Sequence, residues 1–252
     1  MKHAVSIIAL ATVILWAAFA AAQTNLSDEA LLKSFDEARL FEETITGITI
    51  AIVAETVDDV KKATTRLRFK TVDGEEVARI EFLSPEELAG QVYLSTPEAT
   101  YFFGPDLDFP IKTSASTELF GDAAVAQTSG IEFAGNYTVA ERRDVTLEDG
   151  TPAIEVDLAA VDFAVAFQAV TVLASSETLQ PVMMILYALS GLPFYQVFFE
   201  AYATDGEDLY VKTQRIENQL LIGNRSILEI VEITAEEFPD ALFDPAQLRG
   251  AP

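Results

Sequence analysis

Residues 79–122 read RIEFLSPEELAGQVYLSTPEATYFFGPDLDFPIKTSASTELFGD, and their punctuation decides the fold. Ile80 and Phe82 alternate with Glu81, and Pro85 and Gly90 break the chain. Val92 and Leu94 alternate again, Thr96-Pro97-Glu98 turns, and Tyr101-Phe102-Phe103 runs into Gly104-Pro105. Period-two alternation between Gly and Pro breaks is the signature of short strands joined by hairpins. No residue in the stretch is arranged for chemistry.

The same alternation extends outward in both directions. Ile48, Ile50, Ile52 and Ala54 share one face; Leu67 and Phe69 alternate with Arg66, Arg68 and Lys70; Ile154, Val156 and Leu158 alternate with Glu155 and Asp157. Asp73-Gly74, Asp149-Gly150 and Asp205-Gly206 supply tight turns. Runs with one wet and one dry face belong to an antiparallel sheet. Residues 163–173, Pro181 to Tyr187 and Tyr195 to Phe199 are apolar on both faces, so these strands are expected to be covered on both sides or to line a cavity on one. Tyr210 to Glu217 and Ile227 to Ile233 follow as further strands. One helix is predicted near the start: Ser27 with Asp28 and Glu29 forms an N-cap, and Leu31, Leu32, Phe35 and Ala38 recur at helical spacing. The long connection 107–135, broken by Pro110, Gly121 and Gly130, is expected to carry a short helix over 119–127 and to act as a lid or binding loop.

The order of these elements resembles the outer-membrane lipoprotein-sorting family, the LolA-like periplasmic carriers. A strand ending in Ser84-Pro85 precedes Gly90, a Leu-containing strand and an aromatic strand closing on Pro105. Leu179-Gln180-Pro181 enters a later strand, Gly191 and Gly206 sit at turns, and Phe238-Pro239-Asp240-Ala241-Leu242-Phe243-Asp244-Pro245 forms the tail. The resemblance implies a mainly β fold: a strongly curved antiparallel sheet forming an open half-barrel, covered by the N-terminal helix and short lid helices. It also implies an apolar cavity for lipoprotein acyl chains and membrane-bound donor and acceptor proteins as partners. In relatives a short acidic and aromatic motif follows the Gly at position 121; here Asp122 is followed by Ala123-Ala124-Val125-Ala126, so that motif is largely missing.

The ends and the composition narrow the function. Lys2, the apolar run 7–19 and Ala20-Ala21-Ala22 make residues 1–22 a cleavable secretory signal, the alternative being an uncleaved anchor. Residues 23–252 are expected to be a single exported domain in the periplasm, soluble and without a lipid anchor, since no Cys follows the run. The chain has 252 residues, no Cys and one His, His3, which leaves with the signal. A His-based or Cys-based nucleophile and the usual zinc or copper ligands are thereby missing, and no calcium-loop spacing is present. We expect no enzyme activity, no cofactor and no metal. With 16 basic and 40 acidic residues the formal charge is −24, which repels nucleic acid and anionic lipid. Oligomeric state is not legible.

Candidate binding residues follow. Tyr101 and Phe103 share one strand face and Phe102 the other; they are either the wall of an acyl-chain cavity or packed core. Leu107, Phe109 and Ile111 are expected to form a partly exposed lip, and Leu31 and Phe35 to bring the helix onto the rim or across the mouth of the sheet. Met183 and Met184 suit either an adaptable lipid surface or ordinary core. Arg66, Arg68, Lys70 and Arg79 form a basic cluster expected to lie on the outward face, meeting an acidic partner or pairing with Asp and Glu across strands. The function expected is a carrier or chaperone for lipoprotein acyl chains or a related amphiphile. The alternative is an envelope sensing or scaffold module using the same fold as a protein-interaction surface.

Overall fold

The structure, a computed structural model, describes residues 26–39, 46–72, 74–96, 98–113, 118–120, 123–124, 131–163, 165–206 and 208–248. The expected signal segment lies outside them. Helix α1 (Asp28–Glu37) starts where the sequence says it should: Ser27 Oγ accepts from the Ala30 N–H at 3.2 Å, and Asp28 and Glu29 stand at the positive end of the helix dipole. Its apolar stripe is fully inward, with Leu31 and Phe35 buried.

The strands are β1 (Gly47–Glu55), β2 (Val60–Val72), β3 (Glu75–Ser84), β4 (Val92–Ser95), β5 (Thr100–Phe103), β6 (Ile111–Thr113), β7 (Glu118–Phe120), β8 (Ala123–Ala124), β9 (Tyr137–Thr146), β10 (Pro152–Ala160), β11 (Ala169–Ser175), β12 (Pro181–Tyr187), β13 (Pro193–Asp205), β14 (Asp208–Asn218) and β15 (Arg225–Thr234). Thirteen of them form one antiparallel sheet in the order β6-β5-β4-β3-β2-β1-β15-β14-β13-β12-β11-β10-β9. Almost every ladder joins sequence neighbours. The exception is the seam where β15 meets β1, with Gly47 opposite Thr234 and Glu55 opposite Arg225. The edges are β6 and β9, so the sheet is an open half-barrel and not a closed barrel.

Laid flat, thirteen strands would span about 58 Å. Register shifts bend this sheet at β1/β15, β2/β3, β9/β10, β11/β12, β12/β13 and β13/β14, because an extra residue on one strand bends it and raises the local twist. The inward residues of β1–β4, β9–β15 and α1 merge into one apolar cluster around the helix, among them Ile52, Leu67, Ile80, Val156, Val172, Leu186, Val197 and Ile216.

A second, smaller cluster lies on the outer face. Two 3₁₀ turns, Asp240–Phe243 and Pro245–Gln247, lay Phe243 and Leu248 on Val77, Val92 and Leu94. This tail explains why the aromatic stretch read as apolar on both faces.

Three sequence expectations are corrected. The helix over 119–127 is not formed in its described part, where β7 and β8 pair antiparallel; Gly121 in mid-stretch costs a helix about 1 kcal/mol relative to Ala. The rest of that connection lies outside the described residues. Phe163 and residues 165–168 do not belong to a strand: β11 begins at Ala169, and Phe163 stands 93% exposed on a turn. Finally, β9 is a ten-residue strand that alternation did not reveal, since Glu141, Arg142, Arg143 and Asp144 mask it. Charge on an edge strand deters pairing with other chains.

Candidate functional site: the inner face of the half-barrel

The inner face is predominantly apolar, and its covering helix is held by a buried polar clasp. Asp36, near the end of α1, accepts from the backbone N–H of Phe133 at 2.9 Å and of Ala134 at 2.7 Å. It also accepts from an Arg39 terminal nitrogen at 2.9 Å, and Arg39 donates in turn to the Ile131 carbonyl. The Arg39 guanidinium lies 4.2 Å from the centre of the Phe133 ring, which stacks edge-on with Phe35 and Tyr137. Asp36 and Arg39 are both buried, and Arg39 Nε has no hydrogen-bond partner. Burial pulls the Arg39 guanidinium below the usual arginine range, opposed by the neighbouring Asp36 carboxylate.

Two tyrosines complete the polar content near this clasp. Tyr137 O–H donates to the Phe167 carbonyl at 2.9 Å, and Tyr202 O–H to the Pro181 carbonyl at 2.6 Å. Burial pushes the Tyr137 phenol up to about 12 and raises Tyr202 as well, with the positive Arg39 pulling both the other way. These groups are neutral donors whose partners are backbone carbonyls. Among the described residues no three His, Cys, Asp or Glu side chains converge as a metal site. What the arrangement offers is apolar surface, and among the described residues the polar groups of the clasp serve to hold α1 and the 131–134 loop together.

The inner surface is not sealed everywhere. Phe102, Val139, Phe194, Tyr202, Ile230 and Ile233 pack against the main cluster but stay partly exposed.

The structure separates the expected site residues into three groups. Leu31 and Phe35 lie fully buried beneath α1 on the inner face. Tyr101 and Phe103 are half-buried on the outer face, packed against the cluster that the tail covers. On that strand the inward aromatic is Phe102, stacked against Tyr93 with ring centres 4.9 Å apart. Phe109 and Ile111 are 77% and 50% exposed, and Leu107 is half-buried, at the end of the sheet where β5 runs into β6. Met184 is core, while Met183 is half-buried and its sulfur accepts from Gln196 Nε2 at 2.8 Å.

The basic cluster is not free on the surface. Arg68 pairs with buried Glu81 at 2.9 Å, Arg79 donates to the Leu242 carbonyl at 3.1 Å, and Lys70 donates to the Phe238 carbonyl at 2.7 Å and pairs with Asp240. Cross-strand pairing therefore holds for Arg68, and the tail takes up Lys70 and Arg79. Asp36 and Arg39 escaped the sequence reading. Their signal was an acid and a base three residues apart at the end of an apolar stripe, which is indistinguishable from an ordinary surface pair until loop 131–134 docks on it.

A family profile described only as an uncharacterized protein matches residues 74–250. The chain belongs to that family. No protein of curated function matches the sequence. Among solved structures, the chain is similar to a LolA superfamily protein of Nitrosomonas europaea (TM-score 0.76, 20% identity, 87% of this chain and 98% of that one). It is also similar to an outer membrane lipoprotein-sorting protein domain, itself described as putative, of Vibrio parahaemolyticus (TM-score 0.73, 14% identity, 86% and 96%). A protein of a domain family of unknown function from Desulfovibrio piger matches to the same TM-score of 0.73, at 14% identity over 86% and 95%. The fold is LolA-like.

Proposed function

We propose that the protein is an exported, periplasmic carrier that binds acyl chains of lipoproteins, or of a related amphiphile, against the inner face of its half-barrel and hands them on without a covalent step. The observation that carries this reading is the inner face itself: a single apolar surface drawn from eleven of the thirteen sheet strands and one helix, with several of its side chains left partly exposed. The need for shelter is physical. At about 0.8 kcal/mol per methylene, a sixteen-carbon chain in water costs on the order of 12 kcal/mol, so unaided passage across an aqueous gap is negligible. The half-exposed inner residues give such a chain somewhere to lie, and the open edges β6 and β9 leave a way out.

The similar structure from Vibrio parahaemolyticus, described as a lipoprotein-sorting domain, agrees with this reading. So do the expected signal at residues 1–22 and a domain whose chemistry-bearing side chains are engaged in structure. Carriage of a hydrophobic cargo also suits a chain with no His or Cys after residue 3. Native mass spectrometry of the protein purified gently after export tests it. The expected result is a lipid or acylated-peptide adduct that F102D, a charge placed in the open inner wall, abolishes. Protein that is consistently free of adduct, and that takes up no diacylated peptide when offered one, overturns it.

A further inference from the structure

The two ends of the half-barrel differ in kind. At one end lie the turns 56–59 between β1 and β2, 219–224 between β14 and β15, 188–192 between β12 and β13, and 161–168 between β10 and β11. They form an unbroken row. An atom at the Cβ position of Gly223 would sit 3.0 Å from Val57, and the Gln219 N–H donates to the Phe194 carbonyl at 2.9 Å. All but two of the exposed large hydrophobic side chains among the described residues, Leu83 and Val231, lie in turns at this end or beside them. Phe163 is 93% exposed, Ile222 87% and Leu189 86%.

These turns are built to hold their tips outward. Asn218 Oδ1 accepts from the N–H groups of Leu220 and Leu221 at 2.9 and 2.8 Å. Gln168 Nε2 donates to the carbonyls of Asp162 and Val165, and the Ala188 N–H to the Leu192 carbonyl. In a chain of which 22% of residues are charged, residues 188–193 and 219–224 carry no charged side chain. Acids stand at both ends: exposed Asp58, Asp59 and Asp162 lie in the rim turns themselves, and exposed Glu148, Asp149, Glu177, Asp205, Glu236 and Glu237 in or beside the turns of the opposite end, which carries almost none of the exposed apolar side chains.

We propose that this apolar rim docks the protein on the surface of an uncharged, zwitterionic lipid bilayer, with the turn tips entering the interface. Protein interfaces seat their anchors in packed central pockets. Here one to three apolar side chains project from each of four successive turns, over about 34 Å of sheet edge; a fluid medium can close around such separate tips. Charge selects the lipid. A net −24, with exposed Asp58, Asp59 and Asp162 in the rim itself, disfavours anionic headgroups. The inference is independent of cargo carriage, because docking is read with empty protein.

The test uses exported protein with its leader removed and vesicles of phosphatidylcholine, pure or doped with phosphatidylglycerol. Wild type is expected to sediment with the pure vesicles, less with doped ones at low salt. The triple variant F163S/L189S/I222S is expected to partition more weakly by on the order of tenfold or more. Its far-UV dichroism and melting should be unchanged, since the three side chains are exposed. Trp16, the chain's one tryptophan, lies in the expected leader, so F163W provides a single reporter whose emission should shift to the blue on vesicles. Absence of sedimentation with any vesicle overturns the proposal, as does a triple variant that binds like wild type. A wild-type dimer that the triple variant loses, without vesicle binding, overturns it in favour of contact between copies.

Discussion

Asp36 is the side chain on which the placement of α1 turns. It accepts from two backbone amides of the 131–134 loop and from Arg39, so truncating it strands a buried guanidinium and two buried N–H groups. Breaking a buried pair from one side costs several kcal/mol, whereas replacing both partners with apolar residues of similar volume is often neutral. D36A is therefore expected to lose about 3 kcal/mol in urea unfolding, and D36L/R39M to lose about 1 kcal/mol or less. A D36A loss below that of the double variant would show that the clasp is not what holds the helix. Asp36 lies on the stripe-bearing helix and Arg39 just past its end, but sequence could not show that a segment almost a hundred positions away supplies their partners. Phe102 was legible only as one member of an alternating trio, because which face of β5 is inward depends on what covers each side.

Among the elements, the C-terminal tail does the most with the fewest residues. Its two 3₁₀ turns cover Val77, Val92 and Leu94 and supply backbone carbonyls to Arg79 and Lys70. F243A is expected to cost about 3 kcal/mol, as for a buried aromatic truncated in a core, and to raise binding of a hydrophobic dye as the outer face is uncovered. A loss under 1 kcal/mol would mean the tail merely rests there. The regular strands and their turns were legible because alternation and Gly or Asp-Gly breaks are local signals: Gly150, for example, has φ +88 in the turn between β9 and β10. The edge strand β9 was not, since charge on both faces hides a period of two. Nor was the turn ahead of β11, where an exposed Phe163 looks in sequence like a strand residue.

At the scale of the whole molecule, 40 acids against 16 bases set a repulsion that the fold must outweigh. Exposed charges interact within a Debye length of about 10 Å at 0.1 M salt, so added salt relieves the folded state more than the expanded chain. The melting midpoint is expected to rise between low and 0.5 M sodium chloride, on the order of several degrees; a flat response would show that the acids are spaced widely enough not to matter. The open half-barrel itself was legible from the resemblance, because hairpin order is a property of sequence. Its bends were not, because bulges depend on which residues oppose one another. The ladder order also has a temporal meaning. Every pairing except the β1–β15 seam joins strands that neighbour each other along the chain, and the residues that cover the outer face of β3 and β4 come at the end. A chain synthesised from its N-terminus can assemble β1 to β6 early. That first half then waits, with one edge of its first strand unpaired and its back bare, until the last strand and tail emerge. The interval is the one during which this chain is most open to aggregation and most in need of a chaperone.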